Sequence, residues 1–109
     1  ILPALQEAGR GKAVNGVPST EILVGTDATG AELKALYDPT CSFKVTMGLT
    51  PKENGMLKVD TIMQVWSGAI DPDKKLTVEA HDKEFDYWAS PVDQARTWYK
   101  DEYRADPEF

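Results

Sequence analysis

Residues 42–81 contain three segments in which apolar and polar side chains alternate. They read SFKVTMGL at 42–49, MLKVDTIMQVW at 56–66 and KLTVEAH at 75–81. Alternation with a period of two is typical of a strand that buries one face. The pattern predicts a three-strand antiparallel meander, with Phe43, Val45 and Met47 on the core face of the first strand and Lys44 and Thr46 on its polar face.

The first turn of this meander is predicted from its strand register. Asn54-Gly55 lies between the first two segments and indicates a hairpin. A two-residue loop would set apolar residues of one strand opposite polar residues of the other, which reverses the burial pattern. We therefore expect a three-residue loop over residues 53–55.

The rest of the chain supplies a short strand and two helices around this sheet. An apolar strand is predicted at 21–25, and helices at about 30–38 and 91–105. Thr29 and Glu32 have the spacing of a capping box for the first helix, and Ser90 is a candidate cap for the second. The prediction is one α+β domain over 1–109, a two-layer sandwich with both helices packed on one face of the sheet. Residues 1–20 are expected to be loosely structured.

The charge of the chain constrains its partners. The formal net charge is −6, and residues 56–109 hold seven Lys/Arg and twelve Asp/Glu, against five and six in residues 1–55. This acidic balance argues against nucleic acid and suits a basic protein. No apolar run approaches the roughly 20 residues that span a bilayer. A single cysteine favours a reducing compartment such as the cytoplasm without deciding it.

The acid/base candidates gather around the single histidine. His81 lies near Glu79 and Asp82, so an enzyme using His81 with either carboxylate as acid and base is one alternative. One histidine without a cysteine cluster predicts no metal site. The sequence contains no glycine-rich phosphate loop and no dinucleotide motif, so we expect no cofactor.

Large apolar residues on the polar sheet face are the best binding candidates. Ile62 and Trp66 would share that face with Lys44 and Lys58, and tryptophan is common at binding hot spots. Trp88, in the acidic and aromatic stretch 82–89, is a second exposed candidate.

These observations lead to a small, acidic, non-enzymatic protein-binding or assembly domain. Inhibitors, immunity proteins and virion or secretion-system subunits fit this description, and a homo-oligomer is compatible with it. The second alternative to this reading, after the His81 enzyme, is single-stranded nucleic-acid binding, with Trp66 stacking on bases and Lys44, Lys58 and Lys75 contacting phosphates.

Overall fold

The centre of the fold is a three-stranded mixed sheet in the order β3-β4-β5. The structure is a computed structural model that describes residues 1–74 and 81–109. Its elements are α1 (Leu2–Glu7), β1 (Ala13–Val14), β2 (Val17–Pro18), β3 (Leu23–Asp27), α2 (Gly30–Leu36), β4 (Phe43–Gly48), α3 (Pro51–Trp66), β5 (Lys83–Asp86) and α4 (Val92–Tyr103).

The α+β class is confirmed, but the sheet is not the predicted meander. β3 pairs parallel with β4, and β5 pairs antiparallel with β4 on its other side. Part of the acidic and aromatic stretch 82–89, for which no strand was predicted, forms β5. The predicted strand 75–81 lies outside the described residues except for His81, which belongs to no strand. The two-layer sandwich stays a prediction.

Two helices and the sheet contribute to one buried cluster. Leu33 and Leu36 of α2, Ala95 of α4 and Phe85 of β5 are all fully buried in it. Trp98 of α4 packs edge-on against Phe85, with ring centroids 5.0 Å apart. The cluster also includes Ala28, Cys41 and Phe43.

The two predicted helices form close to their expected bounds. The Thr29 hydroxyl accepts the Glu32 amide and the Glu32 carboxylate accepts the Thr29 amide, which confirms the capping box at α2. Ser90 does not cap α4, because its hydroxyl accepts the amide of Asp86 and closes the turn after β5.

The two faces of β4 are the reverse of the prediction. From Lys44 onward the even-numbered residues Lys44, Thr46 and Gly48 are buried, while Met47 is 43% exposed. Trp98 requires this arrangement, since a Cβ on Gly48 would lie 2.4 Å from its ring. Gly48 therefore faces α4, and the apolar alternation identified the wrong side of β4 as buried.

Lys44 is fully buried and is stabilised by two contacts. Its ammonium donates to the backbone carbonyl of Asp38 at 3.0 Å and lies 3.7 Å from the centre of the Tyr87 ring. Burial lowers the pKa of Lys44, and electrostatic interactions with nearby Cys41 and Asp38 oppose that shift. A hydrogen bond and a cation–π contact thus make a charged residue compatible with the interior.

The predicted second strand, 56–66, is wrong, because Pro51–Trp66 form helix α3. Pro51 at its first turn has no amide to leave unpaired. The side-chain amide of Asn54 donates to the carbonyls of Leu49 and Thr50, and Thr61 bonds back to Leu57. The predicted turn at 53–55 is therefore part of the helix.

Residues 1–20, for which we expected loose structure, contain α1 and a two-strand hairpin. β1 pairs antiparallel with β2 across Asn15-Gly16, whose φ values are +50° and +79°. These values fit the two-residue turns that asparagine and glycine favour. The ring of Tyr87 lies against Gly16, where a Cβ would come within 2.3 Å of it.

Candidate functional site

One side of α3 carries five large apolar side chains that face solvent. We call these residues the outer face; their exposed fractions are Met56 64%, Val59 63%, Ile62 54%, Met63 55% and Trp66 81%. They recur every three or four residues, which places them along one side of a helix. No residue of α3 is buried.

The opposite side of α3 is more polar and less exposed. Four residues on this side are partly buried, namely Leu57, Thr61, Gln64 and Val65. An ordinary surface helix turns its apolar stripe towards the core and its polar residues outward. In α3, by contrast, the side that carries more polar residues is the less exposed one.

Contacts at the N-terminal end of α3 connect it to α4. The amide of Lys52 donates to the Glu102 carboxylate at 2.9 Å, and the Lys52 ammonium pairs with Asp101 at 2.8 Å. The hydrogen bond from Lys52 lowers the pKa of Asp101. These two contacts help to fix the rotation of the helix, so the outer face is held in its exposed orientation.

Open concavities border α3, and Met56 contributes to the lining of two of them. One, of about 590 Å³, lies between α3 and Glu102 of α4, with Met56 and Leu57 among its lining residues. The other, of about 610 Å³, lies on the outer face, where Gly55, Met56, Val59 and Met63 line it. A Cβ on Gly55 would have nothing within 4 Å, so the second concavity is open at that glycine.

α3 carries no net charge. It contains two lysines, Lys52 and Lys58, and two carboxylates, Glu53 and Asp60. Glu53 lies 2.7 Å from Nδ1 of His81, and that hydrogen bond lowers the pKa of Glu53. The net charge of −6 therefore comes from the rest of the chain.

The predicted acid/base group is arranged differently from the prediction. His81 is paired with Glu53 of α3, a residue that we did not consider for this role. Asp82 is exposed, and Glu79 lies outside the described residues. Within residues 1–74 and 81–109, no three side chains of the metal-binding types converge on one point.

The predicted binding residues divide into three groups. Ile62 and Trp66 lie together on the outer face, and exposed Lys58 lies one turn before Ile62 on the same helix. Trp88 is 58% exposed but follows β5, with its ring edge-on to Tyr87. Lys44 is buried, so the expected placement of its ammonium on a solvent-facing sheet surface is wrong.

The burial of Lys44 bears on the nucleic-acid alternative. Its proposed phosphate ladder consisted of Lys44, Lys58 and Lys75. Lys58 is exposed on α3, while Lys75 lies outside the described residues. Without Lys44, the predicted ladder of three lysines cannot form on one surface.

Three members of the outer face were missed as surface residues. On the predicted strand 56–66, odd-numbered Val59 and Met63 lie on the face opposite Ile62 and Trp66, which is the core face, and Met56 is the first residue. The spacing Met56, Val59, Met63, Trp66 also fits a helical heptad, in which apolar residues recur every three and four positions. That pattern is the signal that could have found them.

The chain shows no significant similarity to any protein-family model, curated protein or solved structure. In the described parts of the chain, none of the helices has both the length and the apolar character needed to cross a membrane. The outer face of α3 is thus the feature from which a function can be argued.

Proposed function

We propose that this chain is a small protein-binding domain that docks a protein partner on the outer face of α3. One observation carries the proposal: five large apolar side chains on one side of α3 are each more than half exposed. The side turned away from them, at Leu57, Thr61, Gln64 and Val65, is partly buried although two of its four residues are polar.

The free energy available at the outer face supports a partner of substantial size. Complete burial of a valine, isoleucine or methionine side chain is favourable by about 1.5–3 kcal/mol. Each of these residues is a little over half exposed, so a partner that covers all five could gain several kcal/mol. Contiguous exposed apolar patches of this kind typically mark interaction sites on soluble proteins.

The geometry favours a partner that accepts one face of a helix. The outer face presents anchors at successive turns, which is the pattern of helix-in-groove and helix–helix recognition. Trp66 is the most exposed of the five and the residue type most enriched at hot spots. Met56 and Met63 have flexible side chains that can adapt to the partner's surface.

The charge of α3 does not favour a basic partner over a neutral one. Two lysines balance two carboxylates along the helix. Apolar complementarity, rather than attraction by the acidic remainder of the chain, is therefore expected to determine what binds here. An assembly subunit or an inhibitor that docks through one helix fits this description.

Site-specific photocrosslinking in the cells that produce the protein tests this proposal. A benzophenone amino acid replaces Ile62, and a matched variant carries it at exposed Lys34 of α2. We expect the Ile62 variant to form a defined adduct with a protein that mass spectrometry identifies. We also expect Met63→Asp in the same chain to abolish the adduct, because a carboxylate would have to lose its water in the apolar contact.

Two results would contradict the proposal. One is an Ile62 variant that gives no protein adduct beyond those of the Lys34 variant. The other is an adduct whose yield Met63→Asp leaves unchanged. Circular dichroism of the Met63→Asp chain provides the folding control, and we expect the native spectrum because Met63 contributes to no buried cluster.

A further inference from the structure

We propose that the occupant of the outer face is a second copy of this chain, with two α3 helices packed antiparallel. The inference rests on the proposed function, because it names the partner of the same surface. Three properties of α3 lead to it: the symmetry of its apolar spacing, the open concavity at Gly55 and the apolar area that it exposes.

The apolar spacing along α3 is symmetric about its midpoint, so the helix can pair with an antiparallel copy of itself. Gly55, Val59, Ile62 and Trp66 are separated by four, three and four positions, so they lie on one line of the helix. We call this line the seam. An antiparallel pair whose two-fold axis passes between residues 60 and 61 sets Val59 opposite Ile62 of the second copy. The same axis sets Gly55 opposite Trp66 of the second copy.

The two ends of the seam differ in size in the way this pairing requires. Trp66 is 81% exposed at one end. At the other end Gly55 opens into the concavity of about 610 Å³ that Met56, Val59 and Met63 also line. Each Trp66 ring would enter the Gly55 concavity of the other copy, as a side-chain knob enters a hole between helices. Every large residue of the seam then faces an apolar or an open position.

The exposed area is sufficient for a stable pair. Four aliphatic side chains of the outer face each expose on the order of 100 Å², and Trp66 exposes about 200 Å². If all of this area were covered, two copies would bury at most about 1,200 Å² in all, which is the lower limit of standard-size interfaces. The zero net charge of α3 allows two acidic chains to meet there, since salt screens the more distant charges.

Sedimentation equilibrium of the purified full chain over the micromolar range tests the second copy. We expect a reversible dimer that Trp66→Ala weakens by about 30-fold or more, as for a hot-spot tryptophan. Trp88→Ala removes another exposed tryptophan outside the outer face and should leave the dissociation constant unchanged.

Gly55→Gln tests the concavity independently of helix stability. Glutamine is a better helix former than glycine, so the monomer should gain helical stability. The same side chain fills the space that Trp66 of the second copy needs, and we expect the dimer to weaken by about 10-fold or more. Ala31→Gln, at an exposed position of α2, is the matched control and should have no effect on association.

Engineered cysteines test the antiparallel register. Chains carrying Val59→Cys and Ile62→Cys are mixed and oxidised, and native Cys41 is buried and should not react. The proposed pair brings position 59 of one copy to position 62 of the other, so the mixed disulfide should dominate. Preferential disulfides between identical variants would overturn the proposed register.

The experiments can refute the proposed dimer without refuting the proposed protein-binding function. The proposed dimer would be overturned by a chain that sediments as a monomer, or by a dimer that neither Trp66→Ala nor Gly55→Gln weakens. If the photocrosslink at Ile62 then joined the chain to a different protein, the outer face would still be a protein-binding surface. An Ile62 adduct between two copies of the chain would support both.

Discussion

β4 and α3 follow each other in the chain, and both break the usual relation between polarity and burial. The inner face of β4 is polar and buried, with Lys44 and Thr46 fully inaccessible to solvent. The outer face of α3 is apolar and exposed. The difference lies in what each face touches within the described structure.

The ammonium of Lys44 on β4 finds its partners inside the chain. It contacts the Asp38 carbonyl and the Tyr87 ring, and α4 closes the same strand face at Gly48. No comparable covering belongs to the outer face of α3 among the described residues. The comparison teaches that an inverted burial pattern has two meanings. On β4 the buried Lys44 ammonium is paired, although the buried Thr46 hydroxyl has no hydrogen-bond partner among the described residues. On α3 the inverted pattern marks the surface that we propose binds a partner.

Replacement of two lysines gives the largest expected contrast between these faces. Lys44→Ala removes a buried stem and leaves the Asp38 carbonyl without its donor, so we expect the free energy of unfolding to fall by about 2–3 kcal/mol. Lys58→Ala, on exposed α3, should change it by less than about 0.5 kcal/mol. Urea denaturation of both variants measures the difference.

Lys44→Met separates the charge from the stem. Methionine keeps an unbranched apolar side chain against Tyr87, so its cost should be smaller than that of alanine. Equal stability of the Lys44→Ala and Lys58→Ala chains would show that the inner face of β4 is not buried as described.

The two Asn-Gly dipeptides allow a second contrast, in which the sign of the effect differs. Gly16→Ala places a Cβ at φ +79° and against the Tyr87 ring, so we expect a loss of about 2 kcal/mol in the free energy of unfolding. Gly55→Ala lies inside helix α3 with nothing near its Cβ and should gain about 0.8 kcal/mol. Thermal and urea denaturation of the two variants measure these changes. If both changes had the same sign, either the turn at Asn15-Gly16 or the helix at Asn54-Gly55 would be contradicted.

The same two dipeptides explain how far the fold could be predicted from sequence. Asn-Gly favours a tight turn, but its neighbours decide whether one forms. Val14 and Val17 flank the first dipeptide and extend into paired strands. Pro51 precedes the second by three residues and fits the first turn of a helix, which the following residues continue. Local turn chemistry could not distinguish these outcomes, and the hairpin was predicted at the wrong dipeptide.

Local sequence signals predicted the structure correctly where a residue spacing is specific to one structural element. The capping box at Thr29 and Glu32 specifies a helix start, and α2 begins there. β4 also formed at its predicted place, but its buried side was wrong because the Lys44 ammonium is satisfied by distant Tyr87. Such a contact joins residues far apart in the chain, so no window of sequence contains it.

The candidate site was partly predictable for a geometric reason. Ile62 and Trp66 are four residues apart, a spacing that keeps two side chains on one face of a strand and equally of a helix. The pair therefore remained together although the predicted secondary structure was wrong. Val59 lies three residues from Ile62, which puts it on the opposite side of a strand but on the same side of a helix. Val59 could be assigned to the outer face only if this segment had been predicted as a helix rather than as a strand.

The smallest expected effect is a pH dependence that belongs to the sheet and its helices rather than to α3. Burial, with a contribution from the Asp86 carboxylate, raises the pKa of Tyr37 from 10.0 to about 12. The folded chain then holds the phenolic proton more tightly than the unfolded chain, so the free energy of unfolding falls between about pH 10 and about pH 12. Because Tyr37 is only partly buried, we expect this loss to stay below about 1 kcal/mol. Urea denaturation across that range should show a shallower decline for Tyr37→Phe than for the native chain, and parallel declines would exclude Tyr37 as the source.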